Sequence, residues 1–163
     1  MSTLRFLAVV LLALWVGGLA TLGLGAPVIF TALEAHDAVA GRTLAGIAFG
    51  AIFMRFELIS LVVGLILLGL LVVRAAAGLR PRRLVGRMST IAAMLAAGAI
   101  TAFVITPRID ALRENTPGAI ADLADSDERK IEFGRLHGAS GALMTATLIA
   151  GLGLMWMELQ DGK

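Results

Sequence analysis

The sequence has 163 residues, of which 58% are hydrophobic and 16% are charged, and its formal net charge is +2. A soluble domain of this size usually has about 25% charged residues, so the composition excludes an ordinary soluble protein and indicates one membrane-embedded bundle. The densest run of basic residues lies in a loop between apolar stretches, which argues against a nucleic-acid-binding face. Cysteine is absent, which excludes disulfides, thiolate metal sites and cysteine nucleophiles.

Four long apolar stretches predict four transmembrane helices, because a helix needs about 20 mostly apolar residues to cross the hydrocarbon core. The first stretch is too long for the h-region of a cleaved signal peptide, about 7–15 residues, and is interpreted as a membrane anchor. The predicted fold is an all-α integral membrane protein, a single four-helix bundle with a short amphipathic outer segment between the third and fourth helices. The predicted spans are residues 6–33, 43–73, 88–106 and 136–157.

The first span is longer than the hydrocarbon core requires, so its helix is expected to tilt or to project beyond it. Pro27 predicts a kink or an early end, since proline lacks a backbone donor and crowds the preceding turn. Trp15 is followed by Gly17 and Gly18 near the middle of the membrane. We interpret this motif as a tryptophan packed against small residues.

The second span contains the only charged residues predicted inside the membrane, Arg55 and Glu57. Gly50, Ser60 and Gly64 share one helix face with Glu57, a pattern typical of helix contacts in lipid. We therefore predict that the carboxylate points into the bundle, where an ionisable residue suggests a functional site. The alternative is a structural ion pair at the outer interface, with the Arg55 side chain reaching water.

The third span is predicted to end at Thr106, because Pro107 disfavours helical geometry in the residue before it. In the outer segment, Thr116 and Pro117 resemble the cap and first residue of a further short helix. Acidic residues after Ser126 predict that the fourth helix begins near residue 127 and continues through its apolar span.

Small residues recur at four-residue spacing in all four spans, which in lipid allows helix backbones to approach closely. The alternative is that alanine and glycine are simply abundant in this chain. These stripes comprise Gly17, Thr21 and Gly25; Gly46 and Gly50; Ala93, Ala97 and Thr101; and Ala142, Ala146 and Ala150.

The loops predict the orientation in the membrane. The loop 74–87 contains five arginines and no acidic residue, so the positive-inside rule places it in the cytoplasm. An even number of spans then places both termini in the cytoplasm and the segment 107–135 outside. The expected location is the cytoplasmic, or inner, membrane.

Most of the other polar residues near the spans fall toward the outer half. Arg108 and His137 are better candidate partners for Glu57 than Arg55, because residues two apart on a helix do not face each other. Ser140 shares the helix face of His137. These five residues form a predicted outer-facing polar pocket for a small solute, a proton or a metal ion.

A histidine-ligated cofactor is a second interpretation of the same region. A neutral imidazole ligates haem or metals, and His137 with His36 would supply two ligands for haem or copper. His36 lies in a predicted loop, however, and the spacing does not require the pairing. The seven methionines show no cluster with histidine, so core filling explains them better than a copper site.

Several short motifs resemble a known family. They are Trp15-Val16-Gly17-Gly18, Ala26-Pro27-Val28-Ile29-Phe30, Pro107-Arg108, Phe133 and His137-Gly138-Ala139-Ser140. Together they resemble the four-helix membrane family typified by transmembrane protein 205, which is distantly similar to copper-resistance D type proteins. The resemblance implies a four-span protein with Pro-Arg and His-Gly-x-Ser elements near one membrane face, and no agreed activity. The matching positions are Trp15, Gly18, Pro27, Phe30, Arg108, His137 and Ser140.

The sequence therefore favours a non-enzymatic binding or transport role. A haem- or copper-linked redox protein is one alternative, and a structural subunit of a membrane complex is another. The expected partners are the lipid bilayer and either a second copy of the chain or another membrane protein.

Overall fold

The computed structural model describes residues 3–38 and 40–161 as a bundle of long helices, and this part of the chain contains no strand. Four helical segments are long and apolar enough to cross a membrane, which confirms the predicted fold class. The helices are α1 (Thr3–Glu34), α2 (Ala40–Ala76), α3 (Leu84–Ile100), α4 (Thr106–Glu114) and α5 (Glu128–Gln160), with a π-helical turn at Thr101–Ile105 and a 3-10 turn at Ile120–Asp122.

The interior of the bundle is built from stripes of buried residues that recur every three or four positions, as expected for one face of a helix. Many of the other positions in the spans carry exposed apolar side chains, as in a surface that faces lipid. The buried stripe of α2 comprises Glu57, Ser60, Gly64, Leu67, Leu71 and Arg74. The apolar core comprises Ala8, Leu12, Trp15, Leu19, Leu67, Leu71, Ile91, Met94 and Leu154.

Close helix approach occurs at glycines on these buried stripes. A Cβ added at Gly64 would lie 2.5 Å from a methyl carbon of Leu95 and 3.0 Å from the Trp15 ring, whereas nothing lies within 4 Å of one added at Gly69. Gly18 is similarly covered by the ring of Phe56. Trp15 is buried beside these contacts, in agreement with its predicted packing role.

The predicted small-residue stripes of α1 and α5 do not form these contacts. A Cβ added at Gly17 or Gly25 would meet nothing within 4 Å, and Ala142 and Ala146 are exposed. The prediction that these stripes bring helices of this chain together is therefore wrong at these four positions, whereas Ala150 of the α5 stripe packs against the apolar core.

The prediction that the third helix ends at Thr106 is also wrong, since one continuous helical segment extends from Leu84 to Glu114. The wider π-helical turn precedes α4, and the Thr106 N–H donates to the Thr101 carbonyl. Pro107 then lies in the first turn of α4, where the missing N–H costs little. In α1, the helix likewise continues through Pro27 to Glu34, so the early end does not occur, while the kink stays a prediction.

The outer segment differs in part from its prediction. No α-helix begins at Pro117, because the Thr116 hydroxyl donates back to the Leu112 carbonyl, at 2.6 Å, instead of capping a new helix. The predicted start of the fourth helix is confirmed: the Asp127 side chain accepts a hydrogen bond from the Arg129 N–H. Hydrogen bonds from Arg129 also lower the pKa of Asp127 to about 2.

Candidate functional site

Glu57 lies inside the bundle with only 6% of its surface exposed, as its helix stripe predicts. Its carboxylate occupies the space left by the missing side chain of Gly98 on α3, where an added Cβ would lie 2.8 Å from Oε2. Within residues 3–38 and 40–161, no hydrogen bond or ion pair joins Glu57 to another residue. The carboxylate is therefore buried without a cationic partner.

Other polar groups accompany Glu57 in this layer. The Ser60 hydroxyl is buried one turn along α2 and has no hydrogen-bond partner in the described part of the chain. Thr101, buried one turn beyond Gly98, begins the π-helical turn. Such turns within α-helices are frequently found at functional sites. We refer to Glu57, Ser60 and Gly98 as the Glu57 site.

The other residues of the predicted polar pocket lie in more open positions. Arg55 and Arg108 are exposed, and Ser140 is partly buried on α5. Among the described residues, neither arginine forms an ion pair with Glu57, so a structural ion pair of Glu57, the alternative interpretation, is not present there. Convergence of these side chains with Glu57 on one pocket stays a prediction.

The two histidines are both exposed. His36 lies in the turn after α1, and His137 lies within α5. The His137 ring is stacked on Phe133, with centroids 6.1 Å apart, and Arg113 covers the same Phe133 ring at 5.6 Å. His36 places its Nδ1 atom 3.1 Å from the Ala32 carbonyl. Over residues 3–38 and 40–161, no three His, Asp or Glu side chains group as metal ligands would. A haem or copper role stays a prediction.

A second buried polar cluster, which the sequence analysis missed, lies at the opposite end of the apolar core. Glu158 is 3% exposed and accepts hydrogen bonds from Arg74 Nη1 at 2.9 and 3.1 Å and from Arg87 Nη1. Arg5 Nε donates to the Glu158 carbonyl at 3.1 Å. We call these residues, together with Asp161, the arginine–carboxylate network.

Asp161 contributes charge to the network rather than directional hydrogen bonds. Its Oδ2 lies 2.9 Å from Arg87 Nη2 and 3.7 Å from Arg74 Nη2, yet neither carboxylate oxygen meets hydrogen-bond geometry. Arg87 Nη2 donates instead to the Met157 carbonyl, at 2.7 Å. The network thus ties α1, α2, α3 and α5 together at one end of the bundle.

The register of the helices would have revealed this cluster. Glu158 continues the buried stripe of Thr147, Gly151 and Leu154 on α5, and Arg74 continues that of α2. From the sequence, Arg74 counts only as one of the five arginines of the loop 74–87, and Glu158 lies just beyond the predicted span 136–157. Following each buried stripe past the apolar span identifies both as interior residues.

The two polar sites are separated by the apolar core. At about 1.5 Å per residue, Glu57 and Arg74 lie roughly 25 Å apart along α2, close to the thickness of a hydrocarbon core of about 30 Å. Trp15, Leu67 and Met94 are buried between them. An ion that reaches Glu57 from the α4 end would therefore meet an apolar barrier before the arginine–carboxylate network.

Comparison with known proteins identifies a family without an assigned activity. No curated protein and no solved structure matches the chain. The family described as "Domain of unknown function (DUF4149)" matches residues 10–117, about two thirds of the chain. The matched region contains Glu57, Arg74 and Arg87, but it ends before α5 and so before Glu158 and His137. The chain therefore belongs to the DUF4149 family, a group of proteins that share a domain of unknown function.

Proposed function

We propose that this protein binds a proton or a small cation at the Glu57 site and exchanges it with the side of the membrane at the α4 end. The role is binding or transport without a covalent reaction. The observation that supports it is a buried carboxylate with no cationic partner in the described chain.

The energetic argument rests on a comparison between two buried carboxylates of the same chain. An ionised carboxylate in an apolar interior is costly unless it is paired. Glu158 meets that cost with hydrogen bonds from Arg74 and Arg87. Glu57 has no such group, so a proton or a bound cation is expected to supply the missing positive charge. Because neither is covalently held, either one can exchange.

The neighbours of Glu57 suit an ion of small size. Gly98 leaves room for the carboxylate, and the Ser60 hydroxyl is a buried oxygen without a partner that can complete the coordination. Hard cations are bound by such carboxylate and hydroxyl oxygens. The Glu57 carboxylate lies close against Gly98, where an added Cβ would be 2.8 Å from Oε2, and this supports a proton or a bare cation rather than an organic solute.

The apolar core favours exchange from the α4 end. Arg55, Arg108, His137 and Ser140 would line the approach as the predicted polar pocket. With the arginine-rich loop in the cytoplasm, as the positive-inside rule predicts, this end would face the outside of an inner membrane. Passage to the other side requires a rearrangement of the core around Trp15. A relationship to the transmembrane protein 205 family is part of the same proposal.

We expect Glu57→Gln to reduce cation or proton flux into proteoliposomes at least about tenfold, because the amide neither takes up a proton nor neutralises a cation, and each loss of about 1.4 kcal/mol of binding free energy corresponds to a factor of ten. Flux is measured with a pH-sensitive dye and with radioactive sodium, in vesicles of equal protein content. Glu132→Gln is the matched control, since Glu132 is an exposed carboxylate on α5. Equal flux in Glu57→Gln and Glu132→Gln, or parent flux no greater than in protein-free vesicles, would contradict a transport role.

A further inference from the structure

A polar cleft of about 50 Å³ opens at the start of α3, at the end of the bundle that holds the arginine–carboxylate network. Its position next to the ends of α2 and α5 corresponds to the surface of a membrane that the helices span. The cleft is lined by Arg82, Arg83, Arg87, Met157, Gln160 and Asp161.

Among residues 3–38 and 40–161, the charges around the cleft are not balanced by other protein groups. Within the network, three guanidinium groups meet two carboxylates, and Arg82 and Arg83 add two more positive charges beside it. Neither Arg82 nor Arg83 forms an ion pair with any residue in 3–38 or 40–161. The cleft therefore carries a surplus of positive charge that an anion would neutralise.

Arg87 provides an unused donor at the same place. The residue is 2% exposed, and its Nη atoms are engaged by Glu158 and Met157. Its Nε is buried and has no acceptor in the described chain. A buried donor without a partner costs about 1–3 kcal/mol, and Arg87 is one of the residues that line the cleft.

The first turn of α3 contributes further donors. The Arg83 N-cap forms no side-chain hydrogen bond with the helix, and the first N–H groups of any helix lack intrahelical acceptors. The same end carries the positive pole of the helix dipole, which favours anions. Gly86 has no heavy atom within 4 Å of its open face. The backbone is thus accessible to a ligand.

We propose that this cleft binds the phosphate group of an anionic membrane lipid through Arg82, Arg83, Arg87 and the start of α3. A phosphate offers several acceptor oxygens to a fork of guanidinium donors. A lipid phosphate lies at the depth of the cleft, and basic residues at a membrane surface attract anionic lipids. Binding at this site is independent of the Glu57 site, from which the apolar core separates it.

The test is a binding titration of the full-length protein in neutral detergent with short-chain phosphatidylglycerol, phosphatidylcholine or inorganic phosphate. We expect phosphatidylglycerol to bind most tightly. We expect Arg82→Gln and Arg83→Gln each to weaken it about fivefold and the double variant about thirtyfold. The Arg82 and Arg83 side chains are both exposed, so the variants are expected to fold. Thermal unfolding curves of the parent and the variants, recorded without added lipid, test this.

Arg80→Gln is the matched control, because Arg80 is exposed in the same loop but does not line the cleft. An equal loss of affinity in Arg80→Gln and Arg83→Gln would overturn the proposal in favour of general charge attraction. Equal affinity for phosphatidylglycerol and phosphatidylcholine would also overturn it. Tight binding of inorganic phosphate without binding of phosphatidylglycerol would overturn the assignment to a lipid.

Discussion

Glu158→Gln is expected to lower the free energy of unfolding in mixed detergent micelles by about 3–5 kcal/mol, the usual cost of breaking a buried ion pair. The substitution preserves the shape of the side chain but removes the charge that faces Arg74 and Arg87. Asp161 alone would then oppose three guanidinium groups. Because four helices meet at this residue, we expect Glu158→Gln to unfold cooperatively, at a lower denaturant concentration than the parent protein.

A surface ion pair of similar length provides the control. Glu34 accepts a hydrogen bond from Arg42 at 2.7 Å, but both side chains are partly exposed, and exposed pairs contribute little to stability. Glu34→Gln should therefore change the unfolding curve only slightly. The double substitution Arg87→Met with Glu158→Met should recover part of the lost stability, since it removes both charges of a pair. Equal destabilisation by Glu158→Gln and Glu34→Gln would contradict a structural role for the network.

Trp15→Ala is expected to cost about 3 kcal/mol, at the lower end of values for deleting a large core side chain. Trp15 is 4% exposed and belongs to the apolar core. Association of helices in lipid depends on packing rather than on transfer from water. The loss of stability therefore comes mainly from the packing contacts that the Trp15 side chain makes and that the resulting cavity would lack.

Trp156→Ala is the matched control, because the chain has only two tryptophans and Trp156 is 65% exposed on the outer surface of α5. Its removal should affect stability much less. Each single variant keeps one tryptophan, so its fluorescence reports unfolding around Trp156 in Trp15→Ala and around Trp15 in Trp156→Ala. If the two substitutions lower stability equally, Trp15 is not a core packing residue.

Much of the fold follows from features that depend on local sequence. Long apolar stretches predict four spans, and the face shared by Gly50, Ser60 and Gly64 predicts the inward direction of Glu57. Those inferences hold because helix periodicity alone determines which residues lie on the same face. The start of the last long helix near residue 127 similarly follows from the acidic residues after Ser126, and in the structure Asp127 is the N-cap of α5, which begins at Glu128.

The predictions that were wrong relied on local sequence preferences at positions where contacts between distant parts of the chain determine the structure. Pro107 was expected to end a helix, but a π-helical turn places it at the start of α4, which no residue-pair preference predicts. The arginine partners of Glu158 come from helices distant in the sequence. Counting loop charges for the positive-inside rule therefore places Arg74 and Arg87 in a loop rather than in the bundle interior. Exposure of Arg108 and His137 likewise depends on how α4 and α5 pack. The helix continuation at Pro107, the ion pairs of Glu158 and the exposure of Arg108 and His137 all depend on tertiary packing. Periodicity and local motifs in a single sequence do not predict that packing.

The structure shows two buried acidic positions that differ in how their charge is neutralised. The arginine–carboxylate network holds Glu158 in permanent ion pairs, which suits a structural role. Glu57 lacks such partners and lies about 25 Å away behind an apolar core. This contrast is why ion binding is proposed at Glu57 rather than at the more numerous charges of the other end.

Difference infrared spectroscopy of the protein in lipid, comparing the parent with Glu57→Gln, tests the ion-binding proposal most directly. The parent should show a carboxyl band that Glu57→Gln lacks and that shifts between its protonated, ionised and cation-bound positions as pH or sodium concentration changes. A Glu57 band that is insensitive to pH and to sodium would contradict proton or cation binding at this site.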